Sequence, residues 1–250
     1  GAHRDLPSFP TRRSSDLVTR PGDLIAVESP TFYAGLQASE RLGLRVIEIP
    51  SHPREGVSLA ALAAALRQHP VKACLFMLNF ANPTGSRLSD PRKKELLQLL
   101  RRHQVPLIED DVYGELYFDR QAPLCSKAAD SDGLVMHVSS FSKCLAPGYR
   151  LGWVAAGRYA EAIRRQKLAT SLATSVPVQI AIADYLRQGG FDKHLRQLRR
   201  RLAEQEATLV AAVERHFPDG TRLARPQGGY FLWLELPPQV DALRVHREAL

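Results

Sequence analysis

From Asp23 onward, short apolar runs alternate with amphipathic stretches. Leu24 to Val27, Leu44 to Ile49, Lys72 to Leu78 and Val105 to Glu109 are brief, rich in Val, Ile and Leu, and bounded by Pro, Gly or charge. That pattern predicts strands. Between them, Thr31 to Leu42, Ser58 to His69 and Pro91 to His103 carry helical patterns. Ser58 stands where an N-cap belongs and Pro70 where the helix must stop, while Pro91 occupies a tolerated first-turn position after Ser89 and Asp90. Leu134 to Ser139 and Leu151 to Ala155 continue the alternation. Strand and helix taking turns in this way predict an α/β fold, a mixed but mostly parallel sheet with helices on both faces.

The pattern changes after about Tyr159. Tyr159 to Leu168, Val178 to Gln188 and Asp192 to His216 read as helices, with Gly189-Gly190 as a stop. In the last, Leu195, Leu198, Leu202, Leu209 and Val213 fall at helical spacing. Pro218 to Arg225 reads as a turn region and Gly229 to Leu236 as a strand; Asp241 to Leu250 is amphipathic and ends without a cap. The expected organisation is a large domain over 18–190, then over 191–250 a connecting helix and the start of a small α+β domain. Ser8 to Leu17 (SFPTRRSSDL) matches a translated sequencing adapter, so residues 1–17 are expected to lie outside the fold.

Composition narrows the class without choosing a function. Apolar residues make up 44% and charged residues 24%, which is ordinary for a globular chain of 250 residues. No apolar run approaches the roughly 18–20 residues that span a bilayer, and no leader suggests secretion. The three cysteines, Cys74, Cys125 and Cys144, match no disulfide framework and no zinc spacing, so no metal is expected and a reducing cytoplasm is. The net charge of +8 permits a polyanionic partner. Its densest run, Lys193 to Arg201, reads as the solvated side of a helix, with no interleaved aromatics.

Four local signals carry the chemistry, in one order. They are Asn82-Pro83-Thr84-Gly85, Asp110-Asp111-Val112-Tyr113, Ser139-Ser140-Phe141-Ser142-Lys143, and Pro147 through Trp153 (PGYRLGW). The first three follow predicted strands, where open α/β sheets place ligands. Singly, each has a bland reading as a turn, a helix cap, a solvated lysine or a surface arginine. Together they resemble fold-type I pyridoxal-phosphate enzymes, the class I/II aminotransferases, over about Val18 to Leu250.

That resemblance implies a three-layer large domain, pyridoxal 5'-phosphate as cofactor, and roles for named residues. Lys143 is then the aldimine lysine, which also moves a proton between the substrate α-carbon and the cofactor. Asp110 pairs with the protonated ring nitrogen, with Asp111 the neighbouring alternative. Asn82 and Tyr113 bond the ring's phenolic oxygen. Ser140 and Arg150 hold the phosphate, with Ser142 assisting, since a planar guanidinium suits a dianion. Phe32 stacks on the ring, with Tyr33 the adjacent alternative. Cys144 reads as a packing residue.

The segments ESPTFYAGLQ, HPREGVSL, IEDDVYGELYF, SSFSKCLAPGYRLGW and PQGGYFLWLELP are similar to one branch, the MocR subfamily of GntR regulators. There a winged helix-turn-helix precedes an aminotransferase-like domain. Two activities are therefore expected as alternatives. One is amino-group exchange between an amino acid and a 2-oxo acid; the other is ligand sensing in a transcription regulator, with DNA contacted only through a winged helix absent from this chain. The resemblance also implies a homodimer and no membrane partner. It places the family's glycine-rich loop before the matched region and its substrate-carboxylate arginine beyond Leu250.

Overall fold

The computed structural model describes residues 18–248, so the expectation for residues 1–17, and the last two positions of the final predicted helix, lie outside the described residues. One sheet contains β1 (Leu24–Ser29), β2 (Arg45–His52), β3 (Gly56–Val57), β4 (Val71–Phe76), β5 (Leu107–Asp110), β6 (Val135–Ser140) and β7 (Gly152–Ala155). Its order is β3-β2-β1-β4-β5-β6-β7. The inner pairings are parallel, with Ala26 opposite Cys74, Cys74 opposite Leu107 and Leu107 opposite Val135. The two outer strands, β3 and β7, run antiparallel to their neighbours. The expected mixed, mostly parallel sheet is what forms.

Alternation along each strand builds three layers. Leu24, Ala26, Cys74, Phe76, Leu107 and Val135 pack on one face against α2 (Leu59–Gln68) and α3 (Asp90–His103), chiefly on Leu62, Leu66, Leu96 and Leu100. On the other face, Ile25, Val27 and Ala73 meet Leu44. Ile108, Met136 and Val138 meet Ile163 of α4 (Ala160–Ser171) on that same side. Burial on both faces is why these strands read as continuous apolar runs rather than alternating ones. Helix ends follow local chemistry. Ser58 Oγ accepts the Ala61 N–H at 3.3 Å and so caps α2. Ser89 makes no side-chain cap; Pro91 lies in the first turn of α3, and Gln104 ends it in the left-handed region at φ 54°.

Beyond α4 the chain forms α5 (Val176–Arg187) and the long α6 (Gly190–His216), separated by Gly189 at φ +71°. Leu195 and Val213 of α6 are buried and Leu198 and Leu202 pack alongside the core, as the periodicity requires. Leu209 departs from it, being 51% exposed while Val210 is buried. The amino-terminal part of α6 packs on the segments that leave β4, β5 and β6, and near its carboxyl end the buried stripe is rotated slightly, so that Val210 faces inward where Leu209 does not. Arg199 also departs from the solvated reading of the basic run. It pairs with Glu115 at 2.9 Å and lies 3.7 Å over the Tyr117 ring, fastening α6 to the loop after β5.

A second, two-stranded sheet pairs β8 (Arg222–Ala224) with β9 (Trp233–Glu235). The turn predicted through Arg225 therefore contains a strand, and the strand predicted from Gly229 begins only at Trp233. The cause is a competing partner. Phe118 N–H bonds Gln227 O and Gly229 N–H bonds Leu116 O, each at 2.9 Å, so this stretch joins the loop after β5 instead of extending β9. A Cβ on Gly228 would meet Leu116 O at 2.5 Å, an approach only glycine permits. The short α1 (Tyr33–Arg41) and α7 (Ala242–Glu248) complete the described α-helices.

Candidate active site

β4, β5 and β6 lie side by side, so the segments leaving their carboxyl ends meet at one edge of the sheet. Asp110 is the last residue of β5 and is half-buried. Tyr113 is 4% exposed, and its hydroxyl is hydrogen-bonded to Asn82. Burial first, and then the negative charge of Asp110, push the Tyr113 hydroxyl up to about 12, so it keeps its proton and remains a donor. Strand parity separates the two adjacent carboxylates. Asp111 turns to the opposite face, where Oδ2 lies 3.0 Å from His137 Nε2 and Oδ1 accepts from Asn79 Nδ2 at 3.0 Å. Asp110, not Asp111, is thus the carboxylate that acts on Tyr113.

The lysine loop begins where β6 ends. Ser140 is buried, and its Oγ accepts the Ser142 N–H at 3.3 Å. Leu145 and Ala146 N–H groups both return to Phe141 O, at 2.9 and 3.0 Å, which closes the loop tightly. Lys143 is exposed, while its backbone carbonyl accepts the Tyr230 hydroxyl at 2.6 Å. The next carbonyl, of Cys144, bonds His194 Nε2 of α6 at 3.0 Å. Cys144 itself is buried, and burial raises its thiol to about 11, the behaviour of a packing residue. Two elements distant in sequence therefore fix the backbone that carries the lysine.

Arg150 follows the 3-10 turn Pro147–Tyr149 in the left-handed region, at φ 49°. It is exposed and bonds Pro147 O at 3.4 Å, and among the described residues it has no ion pair. The Phe141 N–H to Leu151 O bond and the Ser140–Gly152 pairing bring it back beside the lysine loop. A Cβ on Gly152 would meet Ser139 O at 2.7 Å, so this approach requires glycine. Phe32 caps α1 and packs against the cluster containing Tyr113 and Phe141. Tyr33 is 57% exposed and stands edge-on to Phe32.

Three residues here escaped the sequence reading. Glu28, at the carboxyl end of β1, is fully buried and accepts the Met77 N–H on Oε1 at 2.8 Å. Burial raises its carboxyl to about 8, with the Met77 N–H opposing it and the charge of Asp110 adding a lesser push upward. Its signal was a lone acid closing an apolar strand. Tyr230 and Phe231 stand edge-on to Tyr113, with centroids at 5.9 and 5.4 Å. Their signal was an aromatic pair after Gly228-Gly229.

The donor set fits a phosphorylated pyridine aldehyde. It comprises an accessible amine, a half-buried carboxylate, a phenol–amide pair held protonated, and two serines beside an arginine that no carboxylate among the described residues pairs with. A separate cleft of about 600 Å³, between Arg54 and the end of α6, contains none of these residues.

Residues 12–249 match the family described as Aminotransferase class I and II. The chain is 48% identical over 95% of its length to the uncharacterized HTH-type transcriptional regulator YdcR of Escherichia coli, covering 51% of that protein. It is 32% identical over 92% of its length to aromatic-amino-acid aminotransferase 1 of Thermococcus litoralis, covering 58% of it. The chain thus spans little more than half the length of these curated relatives. Among solved structures, Pyrococcus horikoshii kynurenine aminotransferase aligns with a TM-score of 0.89 at 31% identity, over 96% of this chain and 61% of that one. The Thermus thermophilus α-aminoadipate aminotransferase LysN, solved with N-(5'-phosphopyridoxyl)-L-leucine, aligns at 0.87 and 30% identity, over 96% and 63%. No described helix is long and apolar enough to cross a membrane.

Proposed function

Because the chain belongs to the class I and II aminotransferase family, we propose that it binds pyridoxal 5'-phosphate at the edge formed by β4, β5 and β6. There it would serve amino-group exchange between an amino acid and a 2-oxo acid. The observation that carries this reading is the convergence of Asn82, Asp110, Tyr113 and the Lys143 loop through contacts rather than sequence order. Asn82 bonds Tyr113, Tyr113 packs on Tyr230, and Tyr230 holds the Lys143 carbonyl. When bound, the cofactor supplies an electron sink for the bond being broken at the substrate α-carbon.

Each side chain then has a defined task. The Lys143 amine would hold the cofactor through its aldehyde group and would carry a proton between the substrate α-carbon and cofactor C4′. Asp110 stabilises the proton on the ring nitrogen. Tyr113, protonated because its hydroxyl lies near 12, donates to the phenolic oxygen together with Asn82. Ser140, Ser142 and Arg150 hold the phosphate, and Phe32 covers a ring face. A second copy of the chain is the expected partner, because α4, α5 and the turn between them leave Leu168, Leu172, Val176 and Ile180 between 55% and 75% exposed. The unpaired thiols of Cys74, Cys125 and Cys144 support a cytoplasmic setting.

The E. coli relative supports a second reading, a ligand-sensing effector domain of a MocR-type regulator. Adding the cofactor should give a visible absorbance band and a borohydride-reducible adduct on Lys143 that Lys143→Ala abolishes. An adduct persisting on another lysine overturns the assignment. Single-turnover mixing with amino acids then separates the readings: release of 2-oxo acid identifies the enzyme, and a spectral change without product identifies the sensor.

A further inference from the structure

We propose that Glu109, Cys125 and His137 form a binding site for zinc or a zinc-like divalent ion, on the sheet face opposite the one Asp110 uses. Glu109 of β5 and His137 of β6 are direct cross-strand partners, so both side chains leave the same face. Cys125 arrives from elsewhere, as the residue before the 3-10 turn Ser126–Ala129. One donor atom from each of the three lies within 4.8 Å of the others. Tetrahedral zinc, with bonds of about 2.0–2.3 Å, sets its ligands roughly 3.3–3.7 Å apart. Closure therefore needs an adjustment of about 1 Å, which Cys125 can supply from its half-buried turn. Thiolate, imidazole and carboxylate together favour zinc over magnesium or calcium.

Two further observations point to a cation. Glu109 is 0% exposed, yet among the described residues no lysine or arginine lies within ion-pair distance of it; its direct contact is the Ser126 N–H, at 2.8 and 2.9 Å. Lys93, the buried ammonium of the same pocket, is spent on Asn79 Oδ1 at 2.6 Å, Leu124 O at 2.6 Å and Asp90 at 3.3 Å. A buried carboxylate with the His137 ring as its cross-strand source of opposite charge, but with no direct ion pair among the described residues, is costly, and a divalent ion held by both would offset that cost. Asp111, meanwhile, holds the His137 ring through Nε2 at 3.0 Å, the carboxylate–histidine arrangement that orients metal-binding imidazoles. The three ligands lie far apart in sequence, so their spacing matches no motif and no metal is to be expected from it. The ion would pin the turn after Leu124 onto β5 and β6, directly behind Asp110.

The test uses the whole chain after chelator treatment. Zinc titrated calorimetrically should bind at one site and raise the unfolding temperature. Cobalt in its place should give a thiolate-to-cobalt charge-transfer band in the near ultraviolet. Cys125→Ser, nearly isosteric, should abolish that band and weaken zinc binding at least about tenfold, while Asp111→Asn should cost roughly 10–100-fold yet keep the band. His137→Gln should also lose the site. If it unfolds, Cys125→Ser decides alone. Absence of the band in the folded chain, or zinc binding undiminished in Cys125→Ser, overturns the proposal and assigns any bound zinc to surface histidines.

Discussion

Replacing Glu28 by glutamine isolates the cost of one buried carboxyl. In the folded chain its proton is held to about 8, against an ordinary value of 4.5. The folded value is raised, so between these two points the unfolded chain has lost the proton and the folded chain retains it. Stability must then fall as pH rises through that window and level off above about 8. At about 1.4 kcal/mol per pH unit, the loss accumulates to roughly 5 kcal/mol by the top of the window. Glu28 is fully buried, so solvent screening does not reduce the figure. Glu28→Gln keeps an oxygen to accept the Met77 N–H and removes the ionisation. Urea unfolding of both proteins at steps from about pH 5 to pH 9 gives the difference in stability, in which the other titrating groups cancel. That difference should move in favour of the glutamine variant by several kcal/mol across the series. A difference flat with pH would refute the reasoning. The charge of Asp110 is one cause of the raised value, so Asp110→Asn should lower the upper edge of the window and leave its lower edge in place. Throughout the window the folded chain keeps Glu28 neutral beside Asp110.

Asp110→Ala should still take up cofactor through Lys143 and Arg150, but any half-reaction should slow by several powers of ten, each tenfold being about 1.4 kcal/mol; stopped-flow absorbance checks it, and a near-native rate assigns the task elsewhere. Arg150→Lys preserves charge and loses the planar fork, so cofactor affinity in a direct titration should drop about tenfold, and equal affinity would place Arg150 away from the phosphate. Tyr230→Phe removes the hydrogen bond to the Lys143 carbonyl, worth about 0.5–1.5 kcal/mol, and should weaken cofactor binding several-fold with the ring packing on Tyr113 retained; unchanged binding would show that the loop holds itself. Leu96→Ala, at a position 0% exposed between α3 and the sheet, should cost about 2–5 kcal/mol in chemical unfolding, and a loss below 1 kcal/mol would contradict the packing described.

What was legible in the sequence was what neighbouring residues determine. β1, β4, β5 and β6 announce themselves because both their faces are buried, and Ser58 marks the start of α2 by a bond made three residues away. Leu209 looked equivalent to Leu202 because periodicity records which residues share a flank, not whether anything packs against it at that level. β3, two residues long, has no period to read. Gly229 to Leu236 alternates like a strand throughout, yet its first part is claimed by Leu116 and the loop after β5. A local pattern could not foresee that competitor.

The site divides along the same line. Its four motifs each sit within a few residues of a strand end, so type and order alone drew them together. The choice between Asp110 and Asp111 depends on a single residue of strand length. A strand ending at Glu109 leaves both acids in a loop, whereas one reaching Asp110 sends them to opposite faces. Several contacts that tune the motifs come from far along the chain: Glu28 toward Asp110, Tyr230 onto the Lys143 carbonyl, His194 onto the carbonyl of Cys144. Both carbonyl clamps belong to segments beyond the large sheet, one on α6 and one just before β9. A shift of those segments would therefore reposition the lysine backbone without touching any residue of the four motifs. Whichever reading holds, enzyme or sensor, ligand contacts made near Tyr230 have a direct mechanical route to Lys143.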